Sequence, residues 1–126
     1  MEFKLELVPI PVSDVDRAKT FYADGLGFTV DHDMQVGDGM RIIQLTPVGS
    51  ACSIMIGSGV LSTTPGCIQS LHLVVEDIHA ARDELVKRGV EVQEVEVMGQ
   101  PGYPSVYYAA FSDPDGNGWT LQQIGS

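Results

Sequence analysis

Basic side chains are scarce in this sequence. Lys and Arg together number 7 against 17 Asp and Glu, which gives a formal net charge of -10. Such a surface repels the phosphate backbone of nucleic acids and the headgroups of anionic lipids, so the charge argues against nucleic-acid and membrane partners. It also weakly disfavours a strongly anionic substrate, and its simplest role is to keep the protein in solution.

Cysteine is nearly absent, and several sequence signals are missing. Cys52 and Cys67 lie in no C-x-x-C or Cys-dense pattern. The first residues lack the basic start and apolar run of a signal peptide, and no stretch reaches the apolar length that crosses a bilayer. There is no Gly-rich phosphate loop, no Ser-His-Asp order and no basic stripe. We therefore expect reduced thiols and a cytoplasmic protein.

What is present indicates one globular domain. The 126 residues are 44% hydrophobic and 19% charged, a balance typical of folded proteins rather than disordered ones. A chain of this length buries an apolar core without disulfides or a structural metal.

Two amphipathic segments predict two helices. The first has Ser13 as its expected N-cap and ends at Gly25 and Gly27, because glycine tolerates the left-handed conformation that follows a helix. The second runs from Glu76 to Gly89. The apolar stripes that would face the core are Val15, Ala18 and Tyr22 in the first helix and Ile78, Ala81, Leu85 and Val86 in the second.

Apolar or alternating segments flank both helices and predict strands. The predicted strands are 5–12, 28–31, 41–46 and 52–56 in the first half and 70–75, 90–93, 107–112 and 119–124 in the second. Each half is therefore a βαβββ unit in this prediction.

The two halves keep a nearly constant offset, which marks a duplication. Val12 and Val75 are 63 residues apart, and Gly27 and Gly89 are 62 apart. One unit alone would leave a sheet face uncovered, so two tandem units are expected to form one curved mixed sheet of the α+β class, an open cup or barrel around a cleft.

The boundaries of the two modules follow from composition. The segment 57–67 is rich in Gly, Ser and Thr and is expected to link modules at about 3–57 and 68–125. The Asp and Gly residues of 113–117 predict a turn before the last strand.

Several motifs together resemble a known superfamily. They are Val12-Ser13-Asp14-Val15-Asp16, Leu26-Gly27-Phe28, Val75-Glu76-Asp77-Ile78 and Asp113-Pro114-Asp115-Gly116-Asn117. In this order they resemble the vicinal oxygen chelate superfamily, which includes glyoxalase I, extradiol dioxygenases and bleomycin-binding resistance proteins. The resemblance covers nearly the whole chain and implies a single glyoxalase-like domain at 1–126, with a glyoxalase-like curved mixed sheet. The fold alone does not define the chemistry.

Enzymes of that superfamily usually hold one divalent metal, with one ligand from the first and one from the last strand of each half. The resemblance places these positions at Leu7, Ser70, Thr120 and either Ile54 or Met55. Metals of this kind need carboxylate, amide oxygen or imidazole donors. We therefore expect no metal and no other cofactor, and whether the chain is an enzyme stays open.

Strand parity predicts which side chains face the cleft. His72 shares a face with Ser70 and is a candidate ligand contact, a general base or a metal ligand in a shifted register; the alternative is a histidine hydrogen-bonded within a partly polar strand. Tyr103 lies in the Gly- and Pro-rich segment 98–105, expected to be an irregular loop at the cleft mouth or a plain connector. The predicted catalytic residue is His72, and the predicted ligand-binding residues are Gln44, Ser70, His72, Tyr103, Tyr108, Thr120 and Gln122. A few polar groups on apolar walls are typical of a site for a small organic molecule.

Three functions stay open. In the first, the chain is a metal-free module that sequesters a small, partly aromatic molecule, as bleomycin-binding members do. Alternatively it is an enzyme, a glyoxalase-type lyase or isomerase or another member, that uses His72 or a metal in a shifted register. The third alternative is a structural or regulatory dimer without a ligand. We expect a homodimer formed through exposed strand edges, whose modules pair within one chain or exchange between two.

Overall fold

The computed structural model describes residues 1–125, and in it each half folds into a four-stranded sheet with one helix on one face. The strands are Leu7–Pro9 (β1), Thr29–Gln35 (β2), Arg41–Thr46 (β3), Ser53–Ser58 (β4), Leu71–Val74 (β5), Glu96–Gln100 (β6), Tyr103–Ser112 (β7) and Gly118–Ile124 (β8). The helices are Val15–Thr20 (α1), which continues as a π-helical turn over Phe21–Gly25, and Ile78–Lys87 (α2). The predicted α+β class with two βαβββ modules is confirmed.

Both modules have the same topology. The strand orders are β1-β4-β3-β2 and β5-β8-β7-β6, with β1 and β5 parallel to their neighbours and the other pairs antiparallel. Within residues 1–125 no strand of one sheet pairs with a strand of the other, so the sheets are not closed into a barrel. In the same residues, neither helix is long and apolar enough to cross a membrane.

Both helices begin at an aspartate. Asp14 and Asp77 each accept a hydrogen bond of 3.1 Å from the backbone N–H three residues further on, which satisfies one of the free donors of a helix start. The prediction that Ser13 is the N-cap is wrong by one residue, because the Ser13 hydroxyl donates instead to Asp115 of the other module.

The segment 98–105 is a β-hairpin, so the prediction of an irregular loop is wrong. The hairpin consists of the end of β6, a turn at Pro101 and Gly102, and the start of β7. Gly102 has a φ of +86°. Pro104 lies where β7 extends beyond its pairing with β8 and beside an irregularity in its pairing with β6. A proline is tolerated there because no regular ladder bond needs its missing N–H.

The predicted strand 90–93 is a connector. Only Val92 pairs, in an isolated bridge to Phe111. The Arg82 guanidinium of α2 donates to the carbonyls of Val92 at 3.0 Å and Gln93 at 2.8 Å. Because a side chain takes these acceptors, the second module begins its outer strand, β6, later than the periodicity predicts.

One apolar core serves both modules. The Tyr22 ring is fully buried and lies 5.8 Å from Phe28 and 5.7 Å from Trp119, centroid to centroid. Trp119 in turn stacks on Phe111 at 6.3 Å. These rings come from the helix-facing sides of both modules, so aromatic packing joins the two halves.

The turn at residues 113–117, here named the junction turn, ties the second module to the first. The Asn117 amide, fully buried, donates to the carbonyl of Pro11 at 2.9 Å and accepts from the N–H of Ile68 at 3.1 Å. Asp115 accepts from both the N–H and the hydroxyl of Ser13. The junction turn therefore supplies partners for backbone groups of Pro11 and Ser13, before α1, and of Ile68, directly after the linker.

A charged network ties α1 to the first sheet. Asp33 accepts from Arg41 at 3.0 and 2.9 Å and from Lys19 at 2.7 Å, and Arg41 also reaches Asp16 at 2.6 Å. The hydrogen bonds from Arg41 and then Lys19 hold the pKa of Asp33 well below its usual value.

The substitution Asp33→Asn is expected to lower the Tm at neutral pH by about 2 °C, because this network is partly screened by solvent. A carboxylate with a lowered folded pKa stabilises the fold above its unfolded pKa, 3.8, and loses that contribution as the pH falls toward the folded value. The Tm gap between wild type and variant should therefore be constant above about pH 5 and shrink below about pH 4. A gap that widens in acid would contradict this assignment.

Candidate functional site

The face of the second sheet that points away from α2 carries a polar cluster. The strand register sets His72 beside Thr120 and Tyr108 opposite Gln122. The His72 and Tyr108 rings meet edge to face, with centroids 6.3 Å apart. Leu71 and the other alternate residues of β5 face the core instead. Strand periodicity thus gathers these four predicted ligand-binding residues on one open face.

Ser70 completes the cluster at the entry of β5. Its Oγ lies 3.0 Å from Oγ1 of Thr120, and either hydroxyl can donate. Thr120 is only 8% exposed, whereas Ser70 is open to solvent. The pair adds neutral donors and acceptors to the open face.

Large apolar side chains border the cluster without being covered. Val74, Met98 and Ile124 are 71%, 63% and 58% exposed. The register sets all three on the same face as His72 and Tyr108. Uncovered apolar surface rimmed by polar groups is typical of a binding surface.

The other two predicted ligand-binding residues lie elsewhere. Tyr103 stands at the tip of the β6–β7 hairpin and is 70% exposed. Gln44 belongs to the first sheet, where its amide donates to Ser53 Oγ at 3.2 Å. The structure does not bring either side chain into the cluster on the second sheet.

Ser53 is a polar residue that sequence reasoning missed. It is 6% exposed, and its Oγ lies 2.6 Å from Oγ1 of Thr46. Ser53 and His72 line the same cavity of about 240 Å³ at the seam between the modules. Both halves therefore contribute polar groups to one space, and the parity shared with Met55 is the signal that would have found Ser53.

The positions that the resemblance assigns to metal ligands do not carry a suitable donor set. Leu7 and Met55 share the open face of the first sheet, whereas Ile54 is 4% exposed in the core, so Met55 is the equivalent position. The second pair is Ser70 and Thr120, joined to each other. An aliphatic chain, a thioether and two neutral hydroxyls do not fit a divalent metal. Within residues 1–125 no three His, Cys, Asp or Glu side chains converge.

The surroundings of His72 bear on its predicted catalytic role. The side chain is exposed, and its aromatic neighbour is Tyr108. In the part of the chain that the structure describes, no carboxylate forms an ion pair with His72. A histidine base is usually oriented by such a partner, so this geometry suits a contact with a bound molecule.

A family model matches residues 4–121, nearly the whole chain. The chain belongs to the Glyoxalase/Bleomycin resistance protein/Dioxygenase superfamily. This confirms the resemblance that the sequence motifs indicated. None of the curated proteins compared with the chain matches it.

Several solved structures are similar to this chain. TnmS3, an antibiotic binding protein from Streptomyces sp. CB03234, is 33% identical over 98% of both chains, with a TM-score of 0.81. A glyoxalase/bleomycin resistance protein from the same organism is 34% identical over 95% of this chain and 100% of its own, with a TM-score of 0.75. A superfamily member from Sphaerobacter thermophilus is 29% identical over 97% and 98% of the two chains, with a TM-score of 0.79.

Proposed function

We propose that this protein binds a small, partly aromatic organic molecule on the open face of the second sheet, without a divalent metal. The observation that carries the proposal is the convergence of Ser70, His72, Tyr108, Thr120 and Gln122 on one face. The lack of metal donors at the superfamily's ligand positions supports binding rather than metal-dependent catalysis. The similarity to TnmS3, an antibiotic binding protein, supports the same function.

The composition of the face defines the ligand class that we propose. Tyr108 and His72 offer ring surfaces, and Val74 and Ile124 offer apolar area. The hydroxyls and the Gln122 amide supply neutral hydrogen bonds. The net charge of -10 disfavours an anionic molecule. The expected ligand is therefore neutral or cationic, with an aromatic part and hydrogen-bonding groups.

We also propose a homodimer, located in the cytoplasm. The N-terminal arm alternates apolar and polar residues, and Met1, Phe3 and Leu5 are 106%, 89% and 70% exposed. The arm leads into β1, an outer strand of its sheet, and no strand within residues 1–125 pairs with its outer edge. An exposed alternating segment beside an open edge favours pairing with a second copy of the chain.

Metal-free bleomycin is the probe for this function, because it combines a cationic group, aromatic rings and many neutral amides. Isothermal titration in EDTA should detect binding to the wild-type protein, and light scattering of the same samples should give twice the mass of 13.6 kDa. His72→Ala and Tyr108→Ala should each weaken binding about tenfold, since each removes ring contacts at the centre of the face.

His79→Ala is the matched control, since His79 is an exposed histidine on α2, away from the open face. It should bind bleomycin as the wild type does. Binding that requires added Zn²⁺, Ni²⁺, Mn²⁺ or Fe²⁺ would overturn the metal-free proposal. A wild-type protein that does not bind bleomycin, or a His79 variant as weak as the His72 variant, would contradict the proposed site.

A further inference from the structure

We propose that Ser70 is held in a strained backbone conformation so that its hydroxyl anchors an uncharged hydrogen-bonding group of the ligand. This inference rests on the proposed function and deepens it by naming the anchor and the chemical group that it takes. That group is a carbonyl, an amide or a hydroxyl rather than a carboxylate or a phosphate.

Ser70 is the exception among the left-handed residues of the chain. Its φ is +57°, and within residues 1–125 it is the only residue other than glycine with a positive φ. The other positive φ values in the same residues, Gly66 and Gly89 among them, belong to glycine. A side chain in this region costs folding free energy that glycine would not cost. The sequence therefore uses glycine wherever the left-handed conformation serves only the backbone.

The junction turn imposes the left-handed conformation on Ser70. The N–H of Gly118 donates to the carbonyl of Ile68 at 2.8 Å, and the N–H of Ile68 donates to Asn117 at 3.1 Å. A Cβ at Gly118 would lie 3.0 Å from the backbone nitrogen of Ser70. Ile68 is thus fixed through both its N–H and its carbonyl before the bend, and β5 pairs with β8 from Leu71 onward. These two fixed points hold position 70 in the left-handed conformation.

Compared with glycine, serine provides a hydroxyl at position 70. It lies 3.0 Å from the nearly buried Thr120 hydroxyl, on the same open face as His72. One hydrogen joins the two oxygens, which leaves one O–H and free lone pairs for a ligand. Neither hydroxyl carries a charge. A neutral donor and acceptor pair matches an uncharged polar group and gives no counter-charge for an anion.

The test compares Ser70→Gly with Ser70→Ala, since both lose the hydroxyl and only the first relieves the strain. Both variants should bind metal-free bleomycin about fivefold more weakly than the wild type, the loss expected for one hydrogen bond. Ser70→Gly should melt about 4 °C above Ser70→Ala. Titration calorimetry in EDTA and thermal unfolding measure the two effects separately.

The results that would contradict the anchoring role, the strain or the proposed function differ from one another. If the wild type binds bleomycin and both variants bind it equally well, the anchoring role is wrong while the proposed function stands. If Ser70→Ala is as stable as Ser70→Gly, the strain is absent and the inference fails. If the wild type itself does not bind bleomycin, the proposed function fails and this inference fails with it.

Discussion

Asp113→Ala is expected to lower the free energy of unfolding by about 3–5 kcal/mol, because it breaks a buried charged network. One carboxylate oxygen of Asp113 accepts the N–H groups of Asp115 and Asn117 at 2.9 Å each. The other accepts the Tyr22 hydroxyl at 2.7 Å and the Asn117 amide at 2.8 Å. Removing the carboxylate leaves several buried donors without an acceptor, and these donors come from both modules.

Tyr22 is the first-module partner in this network. Burial foremost, and then the charge of Asp113, raise the pKa of Tyr22 far above its usual value of 10.0. The hydroxyl therefore stays protonated and donates to Asp113, while Trp119 Nε1 donates to it at 3.0 Å. Tyr22→Phe removes only these two hydrogen bonds and should lower the free energy of unfolding by about 1–3 kcal/mol. Since the folded pKa is raised, the wild type should lose stability as the pH rises above 10.0.

Urea unfolding followed by Trp119 fluorescence measures both losses. The matched control is Asp83→Ala, since Asp83 is an exposed aspartate of α2, and it should change stability by less than about 0.5 kcal/mol. A cost for Asp113→Ala no larger than that of the Asp83 variant would show that the junction turn does not hold the modules together.

Gly66→Ala is expected to lower the free energy of unfolding by about 3 kcal/mol, because alanine at this position would be both strained and overpacked. Gly66 has a φ of +84°, and an added Cβ would lie 2.2 Å from the carbonyl oxygen of Asp115. The linker passes so close to the junction turn that only a hydrogen fits. The contact atom is backbone, so relief requires the junction turn itself to move.

Gly89→Ala separates the two causes. Gly89 has a φ of +91°, and no atom of residues 1–125 lies within 4 Å of an added Cβ. It shares the backbone strain and lacks the clash, so it should cost only about 1 kcal/mol. Thermal and urea unfolding of both variants give the difference directly. If the two substitutions lowered the free energy of unfolding equally, the linker would not be in tight steric contact with the junction turn.

Much of the fold could be predicted from local patterns. Strand β3 has the predicted bounds, and the helices bury most of the predicted stripes, with Tyr22, Ile78 and Leu85 in the core. Val86 was predicted in the stripe of α2 and is 47% exposed. The failures have long-range causes. The outer strand of the second module starts late because Arg82 takes the carbonyls of the predicted strand. Periodicity reports burial along one segment and contains no information about a partner from another segment.

The candidate site was partly predictable for the same reason. Parity places His72, Tyr108 and Gln122 on one face because alternation is a property of any strand. Gln44 shares the same kind of parity but belongs to the first sheet, and the two sheets do not pair within residues 1–125. The sequence predicts Tyr103 within an irregular loop at the cleft mouth, whereas the residue lies at the tip of the β6–β7 hairpin.

The sequence by itself determined the repeated βαβββ pattern, because periodicity is a local property. Its resemblance to the superfamily assigned the metal-ligand positions to Leu7, Ser70, Thr120 and either Ile54 or Met55, and the structure decided for Met55. The tertiary structure alone decided how the modules join. Asp115 and Ser13 are separated by 102 residues, and their contact forms only when two modules dock. Distant segments also meet around position 70, where Asn117 and Gly118 hold Ile68 by hydrogen bonds and Gly118 lies close to the Ser70 nitrogen. The strain inferred at Ser70 therefore depends on these tertiary contacts within the second module rather than on its neighbours in the sequence.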